Sequence, residues 1–544
     1  MINEDVIARF LEGRNQKKYI VGVEIPYGSP DVSLIINDPE RGKFISKDTL
    51  TSFIWFKEEV TKKMYGGKRG LIKEATKKFG ITITKLKTSM PNEAVPKKMA
   101  SGYKFMAKTK GSYSKILNFF KEGGIDVYGE RHRSLFITIN PVEQYLIASG
   151  KRLFKGMDDY DDLHRLQFDL ETTGLYPKGR LLSDEDILDI KTRISDGEDL
   201  SKLYEFNSSN EPIRHKDHKI FQIGIKDNRG VEEIIEIKQE GTKEELRQFE
   251  ADAIVKFFNI IDQNKPDVIA GYNSENFDWH FIFTRCDILG IDIEVYAKTL
   301  DKKGGSKIRR VDKSIKLGGE REYYKQTTMW GYNIVDVYHA VRRAKAINSN
   351  IKSAGLKYIT KYSKLNKENR VYVEGNKIFE IWNDKVTDYA FNDSNGDYYP
   401  ITEEKPLKEG YEQVKGNTII RRYLKDDLWE TEKVDGVYNQ ASFLLSKIIP
   451  TTYMRSTTMG TAGIWKLIML AWSYENRLAI PDLKPRKTFV GGLSRLLEVG
   501  YTRNVGKLDF AALYPNIEIT WDIFPDTDIT GVMRGMLTYI ASTR

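Results

Sequence analysis

The stretch LQFDLETTGLYP, residues 166–177, constrains this chain more than any other. Leu166, Phe168 and Leu170 alternate as a strand with one face in a core requires, because residues two apart share a face. Asp169 and Glu171 then stand together on the opposite face. Two carboxylates held side by side repel each other unless a cation joins them. The strand opens a series in which strand and helix patterns alternate. IFQIGIKD (220–227) and VEEIIEIK (231–238) read as a hairpin around DNRG. Residues 244–264 carry helical apolar spacing, DVIAGYN (267–273) reads as a short buried strand, and a helix follows, ended by Gly290. Alternation of this kind predicts an α/β sheet.

An all-oxygen pair of ligands selects a hard ion, Mg²⁺ or Mn²⁺. One Asp-x-Glu pair is common on strands, so the reading needs further acids that converge on the same point. In GYNSENFD (271–278) a buried strand ends near Asn273, and Asp278 falls in the first turn of the next helix, at the mouth of the sheet. In RRYLKDDLWETEKV (421–434), Tyr423 and Asp427 are four apart and share a helix face. Four carboxylates and a tyrosine are the equipment for two-metal hydrolysis of a phosphodiester. DYAFNDSN (388–395) offers a second tyrosine and aspartate at the same spacing, Tyr389 and Asp393. Tyr423 and Asp427 are preferred, because 366–420 reads as an insertion of strands and turns.

FDLETTGL, GYNSENFD and YLKDD, in that order, resemble the three exonuclease motifs of family B DNA polymerases, especially those of bacteriophages. The resemblance implies an RNase H-like 3′–5′ exonuclease domain with two Mg²⁺ or Mn²⁺ ions on Asp169, Glu171, Asp278 and Asp427. It implies that Tyr423 orients the attacking water and that Asn273 and Phe277 touch the 3′ strand. VGKLDFAALYPNI (505–517) resembles the first catalytic motif of the polymerase palm, with Asp509 as a metal ligand and Tyr514 as the residue that excludes a ribose 2′ hydroxyl. FVGG (489–492) resembles the stretch that guides the template, which implies DNA contacts for Phe489, Gly491 and Gly492. Residues 302–325 would lie near the hairpin that separates a primer end from its template. The implied partner is DNA, as a single-stranded 3′ end or a primer–template.

The expected organisation is a mixed α/β N-terminal domain over 1–158, the exonuclease domain over 159–440, and a helical connection with the first part of a palm over 441–544. Within it, 441–480 reads as helical and 489–517 as strands and turns. KGMDDYDDLHR (155–165) reads as a solvated linker despite its four aspartates. FPDTDIT (524–530) has the letters of a second palm acid pair but reads as an unrelated turn. The other parts of such a polymerase, fingers, the rest of the palm and thumb, have no counterpart in the sequence. The expectation is therefore a chain that excises nucleotides but adds none by itself, with a second polypeptide supplying the remainder, or a truncated product. A stand-alone nuclease and a non-catalytic architectural subunit are the competing readings. The palm motif weighs against the first, and the retained carboxylates weigh against the second.

Composition sets outer bounds. The net charge of +9, from 86 Lys and Arg against 77 Asp and Glu, permits a polyanionic partner without demanding one. The single cysteine, Cys286, leaves no disulfide framework and no thiolate zinc site. The longest nearly apolar run, residues 463–472, is too short for a membrane span and contains Lys466. The N-terminus lacks a basic region followed by an apolar core, so a cytoplasmic protein is expected.

Overall fold

The computed structural model describes residues 3–542 apart from 27, 90–98, 100, 138–139, 178–181, 202–203, 216–217, 299, 301–307, 318–319, 483–494, 496–498, 502, 504–505 and 507–511. Its centre is a five-stranded sheet. The strands are β1 (Arg165–Thr172), β2 (Ile220–Asp227), β3 (Glu232–Glu236), β4 (Val268–Gly271) and β5 (Asn333–Asp336), in the order β3-β2-β1-β4-β5. β1, β2 and β3 run antiparallel as a meander, while β4 and β5 lie parallel to β1. The alternation read in the sequence is the alternation observed.

Each face of the sheet has its own cover. Leu166, Phe168, Ile223 and Ile269 point into a core with Ile254, Phe257 and Ile261 of α1 (Lys243–Asn264) and with Trp279 and Ile282 of α2 (Asp278–Leu289). α2 ends at Gly290, whose φ of 75° lies in the left-handed region that glycine enters without a Cβ clash. Val268, Ala270 and Val335 point the other way. They share a core with Val337 and Val341 of α3 (Val337–Ile347), with Ile359 of α4 (Leu356–Tyr362), and with Val434 of the long helix α5 (Gly416–Tyr438). Ile20, Val21, Leu34 and Ile35 of an N-terminal three-stranded sheet (Ile20–Glu24, Asp31–Asp38, Gly42–Thr49) join the same core.

A second N-terminal sheet, with Thr51–Phe56 and Phe105–Lys110 as its paired central strands, packs elsewhere. Its Phe53 and Trp55 meet Ile468 and Trp472 of the helix Thr461–Asn476, and Phe10 of the first helix lies edge-on to Trp472 at 5.0 Å. The helical reading of 441–480 holds, with helices at Gln440–Ser446, Tyr453–Thr458 and Thr461–Asn476. Among the described residues no helix is long and apolar enough to cross a membrane.

Three expectations need correction. Residues 155–165 carry four exposed aspartates, as expected of a solvated segment, but the segment is anchored rather than a free linker. Tyr160 and Leu163 are buried, and the Tyr160 hydroxyl bonds to Asp435 and Tyr453. Two of the aspartates bond the local backbone, Asp162 accepting from the amides of Asp158 and Asp159 and Asp159 from that of Asp161, while Asp161 pairs with Arg165. Residues 366–420 do form strands, with Asp388–Asn392 between Asp397–Pro400 and Glu412–Lys415, but the segment is more than an insertion, because Arg370 is buried among the acids of α5. Within 489–517, the described end is helical (Leu513–Thr520) rather than strand and turn.

Candidate active site

Asp169 and Glu171 lie on β1, opposite Gly224 and Gln222 of β2. At Gly224 the helix α5 approaches the sheet closely. A Cβ there would stand 2.8 Å from Leu424 Cγ and 2.8 Å from Leu428 Cδ1. The missing side chain lets α5 lie against the strand pair, and this sets Asp427 beside Asp169 and Glu171. One carboxylate oxygen from each of the three lies within 4.8 Å of the others. No other such group of metal-ligating side chains occurs among the described residues. Asp278 stands beside the trio rather than within it. Its Oδ1 accepts the N–H of Leu170 at 3.0 Å, which fixes the first turn of α2 against β1.

Burial and mutual repulsion show in the proton affinities. Burial, and then the charges of Asp278, Glu171 and Asp427, push the Asp169 carboxyl well above the usual range. Burial and the charge of Asp427 do the same to Glu171. Burial lifts Asp278 to about 7. Asp427 is also raised by burial, although Arg370 and Lys357 pull it back. A hard divalent ion fits this donor set, because it brings the charge that the buried oxygens lack.

Tyr423 lies one helical turn before Asp427 and is buried with it. Lys357 of α4 donates from Nζ to the Tyr423 hydroxyl at 2.6 Å and lies 4.4 Å from the ring centroid. Burial, with Asp427 and Glu171 nearby, holds the phenol far above its ordinary pKa. Asp169, Tyr272, Lys357, Tyr358, Tyr423 and Asp427 line a cavity of about 310 Å³. A larger one, about 460 Å³, lies between the strand Ile20–Glu24 and residues 328–333, remote from the carboxylate group.

Asn273 and Phe277 are half-buried on the loop between β4 and α2. Asn273 takes a φ of 61°, a conformation asparagine tolerates better than most residues. Asp336 accepts from the amides of Asn273 (2.9 Å) and Glu275 (3.1 Å) and caps α3 by accepting the Tyr338 N–H. The Glu275 carboxylate accepts from the backbone and hydroxyl of Thr327 (2.8–2.9 Å), and Arg310 donates to the Glu275 carbonyl. Thr327 and Arg310 belong to the antiparallel hairpin Arg309–Leu317/Glu320–Thr328, so that hairpin is fastened directly to the loop.

The rival pair does not reach the site. Tyr389 lies on the strand Asp388–Asn392, and Asp393 is exposed and paired with Arg422 at 2.7 Å. Phe489, Gly491, Gly492 and Asp509 lie outside the described residues. Tyr514 is 79% exposed on the helix Leu513–Thr520. In FPDTDIT, Asp528 accepts from the amides of Val532 and Met533 at the start of the helix Val532–Ser542, a structural use. Sequence reasoning missed Lys357 and Arg370, whose contacts span 66 and 57 residues. It also missed Gly224, although a glycine inside a strand is a recognised sign of close approach.

Residues 144–359 match the family model described as DNA polymerase family B, exonuclease domain. DNA polymerase 2 of Aeropyrum pernix is 22% identical over 314 residues, which are 57% of this chain and 32% of that protein. A DNA polymerase of Thermococcus sp. (strain 9oN-7) is 25% identical over 289 residues, 51% of this chain and 30% of the relative. The chain thus spans about a third of the length of these curated relatives. Among solved structures, the family B DNA polymerase from the hyperthermophilic archaeon Pyrobaculum calidifontis superposes with a TM-score of 0.54 at 16% identity, over 93% of this chain and 56% of that one. The region 144–359, which holds the central sheet with the carboxylates of β1 and α2, is thus similar to the exonuclease domain of family B DNA polymerases.

Proposed function

We propose that this domain removes nucleotides one at a time from the 3′ end of DNA, as the proofreading exonuclease of a family B polymerase. The observation that carries the proposal is the convergence of Asp169, Glu171 and Asp427 oxygens, with Asp278 alongside, in a buried place where their own charges oppose one another. These four carboxylates would hold two divalent ions, Mg²⁺ or Mn²⁺. Bound there, the ions would supply a nucleophilic hydroxide and stabilise the leaving 3′ oxygen.

The chain's own residues supply the rest. The Tyr423 hydroxyl, held by Lys357, positions the attacking water against the phosphodiester. Its strongly raised pKa keeps the phenol protonated at any working pH, so it orients the water and does not take its proton. Asn273 and Phe277 receive the terminal nucleotide, with the Phe277 ring against its base. The hairpin fastened to this loop through Glu275 would help a paired strand to part there. The product is a nucleoside 5′-monophosphate. The wording and order of the motifs support a bacteriophage-type enzyme working on primer–template DNA in company with the polymerising parts, on this chain or on a second polypeptide.

The test is a Mg²⁺-dependent assay on single-stranded oligonucleotides labelled at either end. A 5′-labelled strand should shorten in single steps, a 3′ label should leave first as a mononucleotide, and EDTA should stop both. Internal cuts, or no cleavage with either Mg²⁺ or Mn²⁺, would refute the assignment.

A further inference from the structure

Arg370 lies outside the stretch that matches the family model, in a segment whose sequence pattern announces nothing, yet it is only 2% exposed and sits among the acids of α5. It is ion-paired with Asp427, its Nε lies 3.1 Å from Glu430 Oε2, and its Nη1 lies 3.9 Å from Asp426 Oδ2. The guanidinium donates to the Tyr423 carbonyl at 3.4 Å and stands 5.1 Å from the Tyr423 ring centroid. Its aim is fixed from both sides along the chain. Lys367 Nζ donates to Asp426 Oδ1 at 2.8 Å, and the Val371 N–H donates to Asp426 Oδ2 at 3.1 Å. Both residues that α5 gives to the candidate site therefore touch one side chain. That side chain carries a permanent positive charge and a rigid planar fork.

Given the exonuclease reading, on which this inference rests, we propose that Arg370 is a resident cation of the site. It is a positioning residue that holds Asp427 and Tyr423 in register and shares the Asp427 carboxylate with the divalent ion. Two consequences have opposite signs. The guanidinium occupies part of a ligand and repels a second cation, so its removal strengthens metal binding. It also fixes Asp427 and Tyr423, so its removal slows the chemical step. A residue needed only for folding would weaken both.

The experiment uses the whole chain. Mn²⁺ binding is titrated by electron paramagnetic resonance for wild type, Arg370→Met and Arg370→Lys, and kcat and KM are measured on a single-stranded oligonucleotide. Arg370→Met should bind Mn²⁺ about tenfold more tightly and lose about 10–100-fold in kcat, the range that removing an outer partner of a metal ligand reaches. KM should stay within about threefold. Arg370→Lys should shift both in the same direction by less, and it carries the test alone if the methionine variant does not fold. Unchanged or weaker Mn²⁺ binding in a folded variant, or a loss confined to KM, overturns the proposal. A wild type that binds no Mn²⁺ overturns the exonuclease reading along with it. A wild type that binds Mn²⁺ and cleaves, beside variants with wild-type Mn²⁺ affinity, overturns the role of Arg370 alone.

Discussion

The double substitution Asp169→Ala with Glu171→Ala should abolish excision and leave a folded protein that melts at a higher temperature in EDTA than wild type. The two residues contribute two of the three oxygens in the tight carboxylate group. Asp278 and Asp427 remain, but two carboxylates cannot take the place of four. Excision should fall by about a thousandfold or more, at the upper end of the loss from removing one preorganised electrostatic partner. The rise in stability follows from the same geometry. Asp169 and Glu171 lie in one buried place with Asp278 and Asp427, and each raises the cost of ionising the others. β1 itself is held by its ladders to β2 and β4 and by Leu166, Phe168 and Leu170 on its other face. The substitutions leave all of these in place. Shortening of a 5′-labelled strand and a thermal melt in EDTA measure the two effects. Excision within about tenfold of wild type would remove these residues from the site.

The second large effect is on stability against pH. Asp278 rises from 3.8 to about 7, Glu430 from 4.5 to about 7 and Glu275 from 4.5 to about 8, each mainly by burial. Asp169 and Glu171 are also raised well above the usual carboxylate range. A carboxyl whose folded pKa lies above its unfolded one keeps its proton in the fold and loses it on unfolding. Its contribution is therefore complete below about pH 4 and is lost as pH rises through the folded value. In EDTA the melting temperature should fall steadily from pH 5 to pH 8, with a loss in unfolding free energy on the order of a few kcal/mol. Mg²⁺ should restore the share of Asp169, Glu171 and Asp278 at pH 8 and little at pH 5, because the ion binds those carboxylates when ionised, and it should leave the share of Glu275 and Glu430 unrestored. The alanine double variant should show a shallower slope. A melting temperature in EDTA that is level or rising over this range would contradict the burial of these acids.

The parts of the site legible in the sequence are those whose signal is local. Alternation over 166–171 placed two acids on one face of a strand, and that is where they lie. The four-residue spacing of Tyr423 and Asp427 placed both on one helix face. The same spacing at Tyr389 and Asp393 shows the limit, since a count of four does not distinguish a helix from a strand. The packing of α5 on Gly224 distinguishes the pairs, and the glycine was a local sign left unread. Lys357 and Arg370 had no local sign at all. Each is a basic residue in a chain rich in them, and each acquires its role through a contact made only when distant segments meet. The run 158–162 is legible only in part, because its aspartates are exposed as a polar pattern suggests while Tyr160 between them is buried.

The most direct test of the carboxylate centre is anomalous diffraction from crystals of this chain grown with Mn²⁺ and a short single-stranded oligonucleotide. The account predicts Mn²⁺ peaks bounded by Asp169, Glu171, Asp278 and Asp427, with the 3′-terminal phosphate beside them and Tyr423 facing it. Mn²⁺ bound elsewhere, with these four side chains making no contact to it, would contradict the account.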